Sequence, residues 1–245
     1  MKILGIDIGG SAVKGAPVDT KTGRLLAERH RIATDKKLSP KEMAATLKQL
    51  ADHFKWRGPI GVGFPGVIHG PVIATSANLH KGFCGFDAVK LFSAATGCRV
   101  ALVNDADAAG LAEARFGAGR GVTGTVLLLT LGTGVGSALF CGGRLYQNSE
   151  MGHLPIRGKS AERFVSSAAK VRRGLSYKEW GKELRDYVHT LENILWPELI
   201  IIGGGVSKDH RKFFKHIKPR AKLVPAEFFN EAGIVGAALW AAERR

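Results

Sequence analysis

Cysteine is scarce in this 245-residue chain: Cys84, Cys98 and Cys141 are isolated thiols with no paired spacing. That argues against a disulfide framework and a cysteine-rich zinc site, and a reducing, cytoplasmic location is expected. Long apolar runs are missing too, and none approaches the ~20 residues that span a bilayer. Met1 to Asp7 lacks a signal-peptide layout, because its apolar stretch is short and ends in Asp7. There is no low-complexity segment and no Pro/Ser-rich linker. Acidic residues are few, 21 Asp and Glu against 36 Lys and Arg, which leaves a formal net charge of +15. Such an excess suits nucleic acid, an anionic membrane surface or a polyanionic substrate, and it equally suits plain solubility. What is plentiful is apolar residue, at 45%, and glycine, at 32 residues. This content argues against disorder and supplies a sizeable core, in one large domain or two small ones.

The hydrophobic pattern alternates strand-like and helical stretches. Residues 2–8 predict a buried strand that turns at Gly9-Gly10-Ser11 and resumes at 12–18, a hairpin signal. Residues 40–56 predict a helix, with Ser39 as N-cap and Pro40 at the first helical position. Strands follow at 59–67 and 99–103, then an Ala-rich helix over 106–116 stopped by Gly117 and Gly119. The second half repeats the scheme. A strand over 124–131 meets Gly132-Thr133-Gly134-Val135-Gly136, and 137–140 predicts its hairpin partner. Residues 160–195 read as mostly helical and basic, 199–202 as a buried strand before Gly203-Gly204-Gly205, and 232–244 as a closing apolar helix. Two related α/β domains are expected, with a hinge near 104–124 and a cleft between them.

Both glycine-rich hairpins have the composition that phosphate binding needs. Gly9 and Gly10 take side chains out of the approach, Ser11 and Lys14 can donate, and Asp7 stands at the strand end where Mg²⁺ could be held. The alternative is an ordinary hairpin with a polar turn. The Gly132–Gly136 turn is no Rossmann fingerprint, because strand rather than helix follows it, and no Gly-Lys-Ser/Thr makes it a Walker loop. Two such hairpins in corresponding places suggest two clamps on a chain of phosphates. Asn104-Asp105-Ala106-Asp107 puts carboxylates between a strand and a helix, where one can accept the proton of a hydroxyl that attacks phosphorus. Asp107 fits an N-cap better, leaving Asp105 for the reaction. Glu150, His153 and Glu162 add acceptors and an imidazole suited to a polyhydroxyl ligand.

Together, Asp7-Ile-Gly-Gly-Ser11, Asn104-Asp105, Leu131-Gly-Thr-Gly134 and Glu150-Met-Gly-His153 resemble the ROK sugar kinases, over nearly the whole chain and in the same order. Within that family the chain is most similar to the branch that uses polyphosphate on glucose and mannose. The segments that carry this are Gly5–Asp19, Ser76-Ala-Asn-Leu79, Leu131–Leu139 and Gly174-Leu-Ser-Tyr-Lys-Glu-Trp-Gly181. The resemblance implies the sugar kinase, heat-shock protein and actin superfold: two actin-like, ribonuclease H-like α/β domains around a cleft. The smaller would hold 1–105 completed by the helix over 232–245, and the larger 106–231.

By the same resemblance, Asp105 is the catalytic base. Asn78, Asn104, Glu150, His153 and Glu162 hold sugar hydroxyls. Asp7, Gly9, Gly10, Ser11, Lys14, Gly132, Thr133 and Gly134 hold phosphates, and Gly204 and Gly205 meet the adenosine of ATP where ATP is the donor. Mg²⁺ is the implied cofactor, glucose and polyphosphate (with ATP as a further donor) the partners, and a homodimer the assembly; neither nucleic acid nor membrane is expected. Two departures stand out. The cysteine cluster that follows the His in most ROK kinases is absent after His153, which removes the ligands of a structural zinc. With the phosphate motif starting at residue 5, no room is left for an N-terminal helix-turn-helix.

Two rivals remain at this level: an ATP-only hexokinase of the same fold, and a non-catalytic sugar sensor or nucleic-acid binder. The charge bears on the donor. Seven Lys and Arg fall in 207–222 against Asp209 alone, and nine more in 157–185. They read either as a track for long polyphosphate or as solvated helix faces.

Overall fold

The computed structural model describes residues 1–35, 38–76 and 79–244. Its chain folds as two compact units, Met1–Ala112 with Glu231–Arg245, and Glu113–Asn230.

In the first unit the elements run β1 (Lys2–Ile8), β2 (Ala12–Asp19), β3 (Arg24–Leu25), β4 (His30–Ala33), α1 (Pro40–His53), β5 (Ile60–Phe64), β6 (Ile68–His69), β7 (Val72–Ile73), β8 (Phe86–Asp87), α2 (Ala88–Thr96), β9 (Val100–Asn104) and α3 (Asp105–Phe116). The main sheet has the order β3-β2-β1-β5-β9, with β4 also on β2. β1 and β2 form the expected antiparallel hairpin, while β5 and β9 lie parallel to β1. Gly9 N–H donates to Ala12 O (2.9 Å) to close the turn. α1 begins as its sequence dictates: Ser39 and Glu42 form a reciprocal capping box and Pro40 opens the helix.

The second unit repeats the arrangement with β10 (Val126–Leu131), β11 (Val135–Cys141), β12 (Arg144–Tyr146), β13 (Pro155–Ile156), β14 (Lys159–Ser160), α4 (Glu162–Val165), α5 (Ser167–Arg172), α6 (Tyr177–Leu195), β15 (Leu199–Gly203), α7 (His210–Phe213) and β16 (Lys222–Pro225). Its sheet is ordered β12-β11-β10-β15-β16, again an antiparallel hairpin beside parallel strands. Each sheet is packed on a buried apolar cluster, one around Leu4, Val62, Phe64 and Phe92, the other around Leu129, Trp180, Leu184 and Phe213.

The last helix, α8 (Ala232–Glu243), returns to the first unit. Glycines on both sides of the contact allow a close approach. A Cβ on Gly5 would lie 2.0 Å from Ile234 O, one on Gly61 1.8 Å from Ala237 O, and one on Gly236 1.5 Å from Ala108 O. That last contact explains why the unit boundary falls inside α3, after Ala112, instead of at 105. The first turns of α3 are packed against α8, so they stay with the first unit, which is not the smaller of the two. The long basic helical stretch expected over 160–195 is three helices. Ser166, in an extended conformation, caps α5 through Ala169 N–H, and Gly174 (φ +62°) follows the end of α5. Residues 207–222 form short turns, α7 and the start of an edge strand, not one helix face.

Candidate functional site

In the first unit the site residues collect at the carboxyl ends of three parallel strands. Asp7 pairs in register with Gly63, and Gly63 with Val103, so Asp7 and the Asn104-Asp105 junction stand at the carboxyl ends of β1 and β9, the two strands that flank β5. This end is where open α/β sheets bind ligands. Lys14 lies opposite Asp7 across the hairpin, its Nζ 3.7 Å from Asp7 Oδ2. Burial pushes the Asp7 carboxyl above the usual carboxylate range, and the charges of Lys14 and Arg29 pull it back. Helix α8 presses on the same carboxylate: a Cβ on Gly233 would lie 2.9 Å from Asp7 Cγ. Ser11 is exposed at the turn.

The cap of α3 differs from expectation. Asn104, not Asp107, supplies it: Asn104 Oδ1 accepts from Ala106 N–H (2.9 Å) and Asp107 N–H (3.0 Å). Asp107 is buried, 1% exposed. The physical reason is reach, since a side-chain oxygen caps the amides two and three residues onward, and that vector starts at 104 when the helix starts at 105. Asn104 Nδ2 also donates to Gly66 O (3.1 Å). Its carboxamide therefore has one N–H left for any ligand. Asp105 is half-buried at the first position of the helix, and its Oδ1 accepts from Ala106 N–H at 2.8 Å. Asn78, expected to help hold the sugar, lies outside the described residues.

In the second unit the two glycine turns end neighbouring parallel strands, with Thr130 in register with Gly203. Gly132 N–H donates to Gly134 O (3.0 Å), and Gly132 and Thr133 are exposed at the tip. Gly204 has φ +83°, and a Cβ there would lie 2.5 Å from Leu131 O, so glycine is required where this turn meets the end of β10. Gly205 faces open space. The buried Ser207 hydroxyl donates to Gly204 O (2.8 Å) and holds the turn.

Glu150, His153 and Glu162 come together. His153 Nε2 is 3.6 Å from Glu150 Oε2. Burial raises the Glu150 carboxyl above its ordinary range, His153 lowers it, and the charge of Glu162 raises it further. Glu162 also reaches the hairpin: its Oε2 accepts from Val135 N–H (3.4 Å) and lies where a Cβ on Gly134 would be, 2.4 Å away. One carboxylate thus touches the Gly132–Gly134 turn and feels the other carboxylate. Ala168 N–H donates to Gly132 O (3.1 Å), tying the start of α5 to the same turn.

Two residues that sequence reasoning missed fix this cluster. The Ser137 hydroxyl donates to Ser149 O and accepts from Met151 N–H (3.0 Å), while the Ser149 hydroxyl donates to Ser137 O (3.1 Å). Both serines are buried, and the Ser137 hydroxyl holds the backbone groups on either side of Glu150. Gly152 closes the fit, since a Cβ there would lie 2.2 Å from Val135 O. The available signal was a hydroxyl inside the apolar run Val135–Cys141. Glu113, also missed, is fully buried and accepts from the N–H groups of Ala118, Glu227 and Phe228, a structural clamp on two loops.

The ROK family model matches residues 3–170. The protein belongs to the ROK family. This ROK chain is 43% identical over 237 residues, 96% of its length and 89% of the relative's, to the polyphosphate glucokinase of Mycobacterium tuberculosis strain CDC 1551. Its fold superposes on the inorganic polyphosphate/ATP-glucomannokinase of Arthrobacter sp. strain KM with a TM-score of 0.95 at 44% identity, covering 100% of this chain and 99% of the other. It also superposes on a ROK glucokinase from Streptomyces griseus at 22% identity, TM-score 0.84, covering 99% and 100%. These neighbours carry the two-domain actin-like fold of ROK sugar kinases. Among the described residues of this ROK protein, no group of three or more His, Cys, Asp and Glu forms a metal cluster, and no helix is long and apolar enough to cross a membrane. Cys84 and Cys141 are exposed and Cys98 is buried, all as free thiols.

Proposed function

We propose that this protein transfers the terminal phosphoryl group of inorganic polyphosphate to the 6-hydroxyl of glucose. The observation that carries the reading is the 43–44% identity, across nearly the full chain, to a polyphosphate glucokinase and a polyphosphate/ATP-glucomannokinase. Supporting it are a carboxylate at a helix N-terminus (Asp105) and two glycine hairpins at corresponding places in the two units. Glu150, His153 and Glu162 hold the sugar hydroxyls, and Asn104 has one N–H to add. The hairpins around Gly9-Gly10 and Gly132–Gly134 present backbone N–H groups to phosphate oxygens. Asp105 accepts the proton of the 6-hydroxyl as that oxygen attacks the terminal phosphorus, and the bond to the rest of the chain breaks, leaving polyphosphate one unit shorter.

Mg²⁺ fits the residues present. It takes one or two carboxylates together with substrate phosphates and needs no cage of its own, and Asp7 at the strand end would hold it. When bound, it supplies charge neutralisation of the transferring group. ATP is a second donor in this reading, supported by the turn at Gly204 and Gly205 beside the phosphate hairpin. A cytoplasmic homodimer that binds neither nucleic acid nor membrane completes the proposal. The test is glucose 6-phosphate formation with polyphosphate, with ATP and with no donor. Product from polyphosphate is expected; product from ATP alone would assign the protein to the ATP-only hexokinases, and none from either donor would overturn the assignment.

A further inference from the structure

Part of the basic charge in the second unit is already paired or stacked. Lys212 Nζ is 2.7 Å from Asp209 Oδ1, Arg173 makes a two-pronged pair with Glu183 (2.8 and 2.9 Å), Arg157 reaches the same Glu183 (3.5 Å), and Arg220 lies over the Trp196 ring (4.0 Å). Four lysines are different. Lys178 and Lys182 lie on α6 on either side of Gly181, which meets His216, and Lys215 and Lys218 lie on the segment after α7 on either side of that histidine; burial depresses the protonation of the His216 imidazole, and the four lysine charges add to this. Among the described residues none of the four has a carboxylate within ion-pair distance. Glu179, which feels Lys178 and Lys182, spends its carboxylate capping α6 through Ser176.

Packing enforces this crowd of like charge. A Cβ on Gly181 would lie 2.9 Å from His216 Cβ and 3.2 Å from Phe213 O, so α6 and the 213–216 segment touch where only glycine fits. Lys218 has a left-handed backbone (φ +49°), and its carbonyl lies 3.2 Å from His189 Nε2 on α6. The cluster also continues inward. Lys212 and Lys170 both lie over the Tyr177 ring (5.2 and 4.2 Å), and Lys170 is on α5, whose start is bonded to the Gly132 turn. Cations held together without partners cost free energy that a multivalent anion recovers.

We infer that the Lys178, Lys182, Lys215 and Lys218 cluster is the outer station of a polyphosphate track that starts at the Gly132 hairpin and runs through Lys170 and Lys212 along the seam of α6 and α7. The inference rests on the polyphosphate reading and deepens it. A long chain engages the station while its terminal unit reacts; a short donor cannot reach it. The track follows this seam and not the whole basic stretch 207–222, because Arg220 is stacked on Trp196, away from the cluster.

The experiment compares wild type with the K178Q/K182Q/K215Q/K218Q variant, using long-chain polyphosphate and tripolyphosphate as probes. Equilibrium binding of the long chain should weaken at least tenfold. Its log–log dependence on salt should become shallower by about 0.7 for each lysine that meets a phosphate, by analogy with single-stranded nucleic acid. The ratio of KM for the long chain to KM for tripolyphosphate should rise by a similar factor, and the four-arginine variant should restore it. Unchanged long-chain affinity and salt slope would overturn the track. Wild type that binds long chains but makes no glucose 6-phosphate from them would instead overturn the donor reading, and the binding comparison would still decide the track.

Discussion

Ser137→Ala removes one hydroxyl from a buried strand and so separates positioning from chemistry. That hydroxyl serves two backbone groups, Ser149 O and Met151 N–H, which flank Glu150. A buried polar group left without its partner costs about 1–3 kcal/mol, so the variant, which orphans two, should lose about 2–6 kcal/mol. For a unit of this size that is roughly 10 °C or more in melting temperature. The functional consequence is sharper. Glu150 sits between the two orphaned groups and loses the frame that would aim it at the sugar in the proposed reaction. Misaligning one charge-assisted hydrogen bond is worth about 1.5–3 kcal/mol, or roughly 10- to 100-fold in glucose affinity. Initial rates over glucose at saturating donor, with calorimetry on the same samples, give both numbers. A rise in KM for glucose with a much smaller change in kcat is expected. A lower melting temperature with unaltered KM would refute the reasoning and leave the serine pair as fold stabilisers only.

Glu150→Gln tests the raised carboxyl. Because burial favours its neutral form, ionised Glu150 costs stability above its folded pKa, and the cost fades as pH falls through that value. The glutamine variant should therefore melt higher at neutral pH yet bind glucose worse, and wild-type KM for glucose should climb on acidification beginning above pH 4.5, the ordinary value for a glutamate. Gly236→Ala should be severely destabilising, by ~3 kcal/mol or more, because its Cβ would meet Ala108 O at 1.5 Å; a wild-type denaturation midpoint would contradict the α8 packing. Elemental analysis of purified protein should find no stoichiometric zinc, and a chelator should abolish activity that Mg²⁺ restores. One zinc per chain, or full activity in the chelator, would contradict the metal reading.

The hairpins that carry the glycine turns were legible because both signals are local: apolar runs of strand length and glycines between them. Ser39, Pro40 and Glu42 likewise announce the start of α1 through contacts within one turn. The α3 cap was not legible. Asn104, Asp105 and Asp107 are all good capping types, and the choice depends on where β9 ends, which its parallel pairing with β5 decides. The basic track was legible only as composition. Which basic side chains are neutralised depends on Asp209 and Glu183, and which lysines converge depends on Gly181 touching His216, contacts made between separate segments. β16 escaped because its pattern, Lys-Leu-Val-Pro, is short and flanked by charge, and only pairing with β15 makes it a strand. The Ser137–Ser149 pair escaped for the same reason, being a bond across a dozen residues that is visible only once the strand lies in its sheet.

The most direct measurement is the rate of glucose 6-phosphate formation from long-chain polyphosphate by wild type and by Asp105→Asn, with glucose binding followed in parallel. The amide keeps the shape of the side chain and its acceptor for Ala106 N–H but cannot take a proton. General-base catalysis is worth ~10²- to 10⁴-fold, so kcat should fall by at least that much while glucose still binds. A variant that retains near wild-type kcat would contradict the assignment of Asp105 as the base.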